Sequence, residues 1–328
     1  MDLPPSTNNF FSTSPRREIL YRCLYIFIIF FIAITLCIFW QPLRNTSFTY
    51  SLVHITVENT AIRLFFRLIT ILGSEGFFLI LLSVIYWSIN KSLGFWGLIV
   101  MPISIFVTSE IPKDVIKLPR PDVSGVTVTT YTFPSGHASG AVSVWGYLSV
   151  RLKARWFWFF SIIVITLVSI SRTMLGYHFL GDVLGGIVTG MVFLLFFFIL
   201  GVIITKKNLQ TKIKANTLKF MAMVLPFFLS FIPATFAPNF MGYVAGAGLG
   251  YLLQREQLLF DTKGYWKQHF AKIIIGCFGL GCIIPGLNYF FPPGIHFLVF
   301  IQHTLATFWI TYLAPLLFLK LGLVKKLA

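Results

Sequence analysis

Apolar runs close to the bilayer-spanning length of about 20 residues recur along this chain of 328 residues, for example over 20–40 and 179–205. Inside a bilayer no water is available to satisfy backbone N–H and C=O groups, so runs of this kind fold as helices packed side by side. Breaks at charged and Gly/Pro segments predict ten spans, beginning near residues 20, 72, 94, 137, 156, 178, 217, 238, 270 and 296. The expected fold is all-α, a polytopic membrane helix bundle. The stretch 51–70 carries Glu58, Arg63 and Arg67 among apolar residues at helical period and reads as an amphipathic helix lying at the interface.

Composition closes off the soluble alternatives. With 57% hydrophobic and only 11% charged residues, no soluble domain fits between the spans. The net charge of +16 does not read as a nucleic-acid surface, because Lys and Arg sit at the ends of apolar runs. They report topology instead. When the spans alternate, most of the 26 Lys and Arg fall on the side of the two termini, which is then cytoplasmic; the other side holds only Arg44, Arg63, Arg67, Lys113, Lys117, Arg120 and Arg172. The first run follows Ser14, Pro15, Arg16 and Arg17 and ends in Phe39, Trp40, Gln41 and Pro42 rather than a small-residue cleavage site, so it reads as a retained anchor.

The basic, polar stretch between Thr205 and Leu218 divides the chain. The organisation expected is a tail over 1–19, a six-span core over 20–205, a basic linker over 206–217 and a four-span extension over 218–328. The extension has Gly242, Gly246 and Gly250, and Gly276, Gly279 and Gly281, at helix-packing spacing, and nothing in it looks catalytic. Cys23, Cys37, Cys277 and Cys282 lie in or beside apolar runs without metal-ligand spacing and read as small buried hydrophobes. No metal site and no cofactor motif is expected.

Three segments carry chemistry. Lys113 is followed seven residues later by Arg120, nearly two helical turns, so one helix face can hold both cations before Pro119 and Pro121 turn the chain. The loop Tyr131, Thr132, Phe133, Pro134, Ser135, Gly136, His137 leads into a span. There Ser135 suits an N-cap and Gly136 permits close backbone approach, so amides and helix dipole can meet an anion beside His137. Arg172 ends one span, and His178 and Asp182, four apart, open the next on one helix face. A carboxylate so placed can hold one imidazole nitrogen as N–H and leave the other as a lone pair for attack. Each segment alone also reads as snorkelling cations, a capping turn or a structural His–Asp pair. The topology puts all three at one membrane face, where three cations, two histidines and one carboxylate favour a multiply charged anion such as phosphate.

Lys113 to Pro121, Pro134 to His137 and Ser171 to Asp182 together resemble the three-part signature of the type 2 phosphatidic acid phosphatase superfamily, with every signature position and spacing present over the core. The resemblance implies a nucleophilic His178 forming a phosphohistidine, Asp182 as its orienting partner and His137 as the acid for the leaving oxygen. It also implies a phosphate cradle of Lys113, Arg120, Arg172, Ser135 and Gly136. Gly73 to Phe78, with Tyr86 and Trp87, is similar to the sphingosine-phosphate phosphatase branch, although Glu75 also reads as an interfacial residue at a span start. The expectation is a metal-independent phosphatase acting on a lipid phosphate monoester or prenyl pyrophosphate at the non-cytoplasmic face. A lipid phosphotransferase, a soluble sugar-phosphate phosphatase and a transporter of phosphorylated solutes are the alternatives. A carrier would place its charges mid-membrane in broken helices rather than at span ends. Membrane lipids are expected partners and nucleic acid is not; short loops favour a bacterial inner membrane over the endoplasmic reticulum.

Overall fold

A computed structural model describes residues 43, 47–122, 130–206, 214–232, 236–290 and 295–327. Helices dominate the described residues: α1 Ser47–Glu58, α2 Thr60–Ile71, α3 Glu75–Ser88, α4 Lys91–Ile116, α5 Gly136–Leu152, α6 Arg155–Met174, α7 Leu180–Lys206, α8 Ala215–Leu229, α9 Ala237–Gln257, α10 Trp266–Phe290 and α11 His296–Lys320. The only β pairing among them is a single bridge, Phe260 with Lys326.

Five helices are long and apolar enough to cross a membrane: α4, α6, α7, the 266–287 part of α10, and α11. A sixth span results if α2 and α3, bent by 49° at residues 72–74, are taken together. The run over 20–40 lies outside the described residues, as do Cys23 and Cys37. The spans expected near 137, 217 and 238 are helices, but α5 and α8 are only 17 and 15 residues long, and α9 is rich in Gly and Ala. Burial explains α5 and α9: Ala138 to Ser149 of α5 are buried by neighbouring helices, as is much of α9, so neither needs a lipid-facing apolar surface. The amphipathic stretch over 51–70 is two helices rather than one. The Asn59 side chain accepts from Ala61 N and Ile62 N at 3.1 and 3.2 Å and so starts α2 afresh.

Close packing of two helix pairs sets the frame. In α7, a Cβ on Gly186 would lie 2.5 Å from the Ser135 carbonyl oxygen, so glycine lets α7 approach the loop before α5. In the extension, Cβ atoms on Gly242, Gly246 and Gly250 would each lie 2.0–2.5 Å from Phe300 O, Thr304 O or Thr311 Oγ1 of α11. Gly276 and Gly279 abut the Trp87 and Trp309 rings, whereas Gly281 faces open space. The extension docks on α3 and α4: Trp87 Nε1 donates to Ile310 O at 2.8 Å, Tyr86 Oη to Thr311 O at 3.1 Å, and Phe95 stacks on Tyr251 at 3.8 Å.

One end of α3 meets a cluster of chain turns. The fully buried Lys272 donates to Trp87 O and Thr262 O at 3.0 Å each, Lys91 donates to Phe260 O, and Asp261 N donates to Lys325 O at 2.9 Å. The opposite end of α3, at Glu75, opens on a cleft.

Candidate active site

α4 reaches the cleft through a π-turn over Phe106–Glu110, whose wider winding presents Ser109 and Glu110 at the helix end, followed by Lys113. The helix stops at Ile116, where Lys117 takes the left-handed conformation (φ 54°), and Pro119 and Pro121 follow. Arg120 therefore arrives on extended chain and not on the same helix face as Lys113. It still lines the same cleft, because Tyr177 O and Thr130 O each accept from its guanidinium at 2.8 Å and Thr130 Oγ1 at 2.9 Å.

The cleft has a volume of about 190 Å³ and is lined by Gly73, Glu75, Ile105, Glu110, Lys113, Arg120, Thr130, Gly136, His137, Arg172, His178 and Phe236. That is below the roughly 300–1,000 Å³ of sites that engulf a drug-sized ligand, so the cleft has room for only a small group. Gly136 lies tight against the end of α4: a Cβ there would stand 2.9 Å from Ser109 Oγ. Ser135 occupies the N-cap position of α5 but makes no capping bond. Its hydroxyl is buried without a hydrogen-bond partner while its N–H donates to Asp182 O at 3.0 Å. Arg172, 7% exposed, donates from NH1 to Thr70 Oγ1 at 2.8 Å and lies 4.4 Å over the Tyr177 ring, and its Nε is unpartnered. Of these two, Arg172 lines the cleft, so its unpartnered Nε is a buried donor that an anion there could satisfy.

His178 and Asp182 approach within ion-pair distance, with a third side chain between them. The imidazole Nδ1 is 3.9 Å from Asp182 Oδ2, because the carboxylate is drawn to the start of α7, where Phe179 N donates to it at 2.9 Å. Thr132 fills the gap, its hydroxyl 3.0 Å from Nδ1 and donating to Oδ2 at 2.5 Å. A hydroxyl that gives its proton to the carboxylate can only accept from the imidazole, so this arrangement puts the proton on Nδ1 and the lone pair on Nε2, 3.4 Å from Arg120 NH1. Burial, followed by the positive charges of Arg172, Arg120 and Lys113, holds the His178 pKa well below the usual histidine value of 6.5. A histidine shifted in this direction is neutral above its lowered pKa, hence neutral at pH 7.

The cleft also holds more acid than the sequence suggested. Instead of one carboxylate there are three, Asp182 behind His178 and Glu75 and Glu110 in the wall. Glu110 is held by Lys113 Nζ at 2.6 Å and Ser109 Oγ at 3.2 Å. The extension, in which nothing looked catalytic, contributes Phe236 to the cleft.

Fold and site together define a helical membrane protein with a small cleft of cations and histidines at one helix end. Residues 92–206 match the PAP2 superfamily, and residues 238–326 match the transmembrane extension of PAP2 superfamily phosphatases. Phosphatidylglycerophosphatase B of Bacillus subtilis is 31% identical over 147 residues, covering 40% of this chain and 71% of that protein. The chain belongs to the PAP2 superfamily. Sphingosine-1-phosphate phosphatase 2 of Mus musculus is 24% identical over 237 residues, 66% of this chain and 62% of the relative. The chain thus spans about three fifths of that protein's length. A solved PAP2-type phosphatidylglycerolphosphate phosphatase from Bacillus subtilis aligns with a TM-score of 0.43 at 22% identity, over 58% of this chain and 97% of its own.

Proposed function

We propose that this protein is a membrane phosphatase that hydrolyses a lipid phosphate monoester or prenyl pyrophosphate through a phosphohistidine on His178. The reading includes ten spans divided into a six-span core and a four-span extension, cytoplasmic termini, and a cleft opening on the other face. The observation that carries it is the orientation of His178, with Nδ1 engaged from behind by Thr132 and Nε2 beside Arg120 in a cleft with Lys113 and Arg172.

In the first step the Nε2 lone pair attacks phosphorus and the ester P–O bond breaks. The leaving oxygen takes a proton from His137, while Nδ1–H, Thr132 and Asp182 stabilise the imidazolium character that develops. Lys113, Arg120, Arg172, the Ser135 hydroxyl and the Gly136 amide act as preorganised donors to the phosphoryl oxygens. In the second step neutral His137 takes a proton from water, the water oxygen attacks phosphorus, the P–N bond breaks, and inorganic phosphate leaves with His178 restored.

Thr132→Val keeps the shape of the side chain and removes the hydroxyl between imidazole and carboxylate. We expect kcat to fall by about 10- to 100-fold, the cost of a buried bond to a charged group left unmade, with KM little changed. Thr132→Ser should restore most of it. A Thr132→Val enzyme with wild-type kcat would remove this hydroxyl from the mechanism.

The substrate class is tested with a series of phosphates that share one head and differ in chain length. Because the cleft has room for only a small group, kcat/KM is expected to rise with chain length as the tail packs against apolar helices and positions the phosphate. Flat dependence together with efficient hydrolysis of glucose phosphate would place the protein among phosphatases of soluble substrates.

A further inference from the structure

The amphipathic stretch ends on a residue that touches the cleft's machinery. Thr70, in the last turn of α2, accepts from Arg172 NH1 at 2.8 Å. That bond and the Tyr177 ring, 4.4 Å away, hold the guanidinium whose Nε is buried without a partner. An arginine side chain is long and rotatable, so its aim at a ligand depends on such contacts.

Thr70 is itself held from both sides. The Leu72 carbonyl accepts from Trp145 Nε1 of α5 at 3.1 Å, and Gly73 presses on α6, where a Cβ would stand 2.5 Å from Val168 Cγ1. On its outer side α2 exposes Leu64, Phe65, Leu68 and Ile71, a stripe at helical spacing suited to lipid. The end of α2 is thus clamped to the bundle at the point where its hydroxyl meets Arg172.

The chemistry of this anchor suits a cation that has to serve a ligand. A carboxylate partner offsets the charge it holds, whereas a hydroxyl or carbonyl orients a guanidinium and leaves its charge available. Lys113 is of the first kind, 2.6 Å from Glu110 Oε1. Arg120 is of the second, held by Tyr177 O, Thr130 O and Thr130 Oγ1, and Arg172 joins it through Thr70.

We propose that Thr70 is a positioning residue for phosphate binding, its hydroxyl fixing one end of the Arg172 guanidinium so that Nε is presented to the anion in the cleft. The inference rests on the reading of the cleft as a phosphate site and adds a residue outside the three signature segments.

The test is a double-mutant cycle of Thr70→Val and Arg172→Met on the full-length protein in detergent, read as affinity for inorganic phosphate. Valine keeps the shape of threonine and removes the hydroxyl, and methionine keeps an apolar stem without the guanidinium. Thr70→Val should weaken phosphate binding by roughly 10-fold, the order of a hydrogen bond to a charged group, with a wild-type melt, and Thr70→Ser should restore it. In the Arg172→Met background Thr70→Val should change the affinity by less than about twofold, because the group it positions is gone. Undiminished binding in Thr70→Val, or equal losses in both backgrounds, would overturn the proposal and leave the bond as a structural link between α2 and α6. Should Arg172→Met fail to fold, the comparison of Thr70→Val with Thr70→Ser decides: weaker binding restored by serine supports the proposal, and equal binding overturns it. If phosphate binding follows this pattern while no phosphate ester is hydrolysed, the positioning role stands and the phosphatase reading fails. If wild type binds no phosphate, the positioning role falls.

Discussion

His178→Ala is expected to reduce turnover by about 10⁶-fold, the order seen when the nucleophile is removed from a concerted catalytic unit. His178 is 2% exposed and contacts Thr132 and Arg120, so the variant also loses packing and hydrogen bonds. A wild-type helical content and a cooperative melt separate lost chemistry from lost fold. With Nε2 gone, the cations of the cleft still bind phosphate. The variant should therefore retain an affinity for vanadate or inorganic phosphate within about tenfold of wild type, since uniform binding and catalysis are lost separately. A His178→Ala enzyme with more than a few per cent of wild-type turnover would assign the nucleophile elsewhere.

The second large effect is expected at His137, which lines the same cleft as His178. Its removal takes away the proton delivered to the leaving oxygen. The loss should reach the 10²- to 10⁴-fold typical of general acid catalysis when the leaving group is an alkoxide. Nitrophenolate leaves without protonation, so with nitrophenyl phosphate the same His137→Ala variant should lose about tenfold or less. Rates measured over a series of leaving groups of increasing acidity will show the two enzymes converging. Parallel lines, with equal losses for alkyl and nitrophenyl esters, would make His137 a binding residue and leave the acid unassigned.

The histidines and the three cations that line the cleft could be proposed as a cluster from sequence because each stands at or near the end of an apolar run. The residues that sequence left unassigned act through tertiary contact. Thr132 stands 50 positions from Asp182, and nothing in the local pattern of a Thr before Phe133 and Pro134 marks it as the bridge between that carboxylate and an imidazole. Arg120 has the right identity at the right distance from Lys113, but the left-handed Lys117 ends the helix between them, so a shared helix face gives way to a shared cleft. Glu110 offered a signal: it precedes Lys113 by three residues, a spacing that pairs opposite charges on a helix. Phe236 offered none, since an aromatic before an apolar helix is ordinary, and only the docking of the extension brings it to the cleft.

Among the described residues, length and apolarity alone give five or six spans where the sequence reading expects ten. Hydropathy detects helices that face lipid. Helices α5 and α9 are enclosed by others and carry Ser, Gly and Ala where a lipid-facing helix would carry Leu and Phe, so their membership in the bundle follows from packing rather than apolarity.

The central claim is a covalent phosphoryl group on His178, and trapping it is the most direct measurement. Wild-type protein is mixed with ³²P-labelled substrate and quenched in alkali within one turnover, where a phosphoramidate survives and an acyl phosphate does not. The label is then located by peptide mapping. The account predicts alkali-stable, acid-labile label on His178, formed at the rate of leaving-group release and absent from His178→Ala. Label on another residue, or product released in a single turnover with none on the protein, would contradict it.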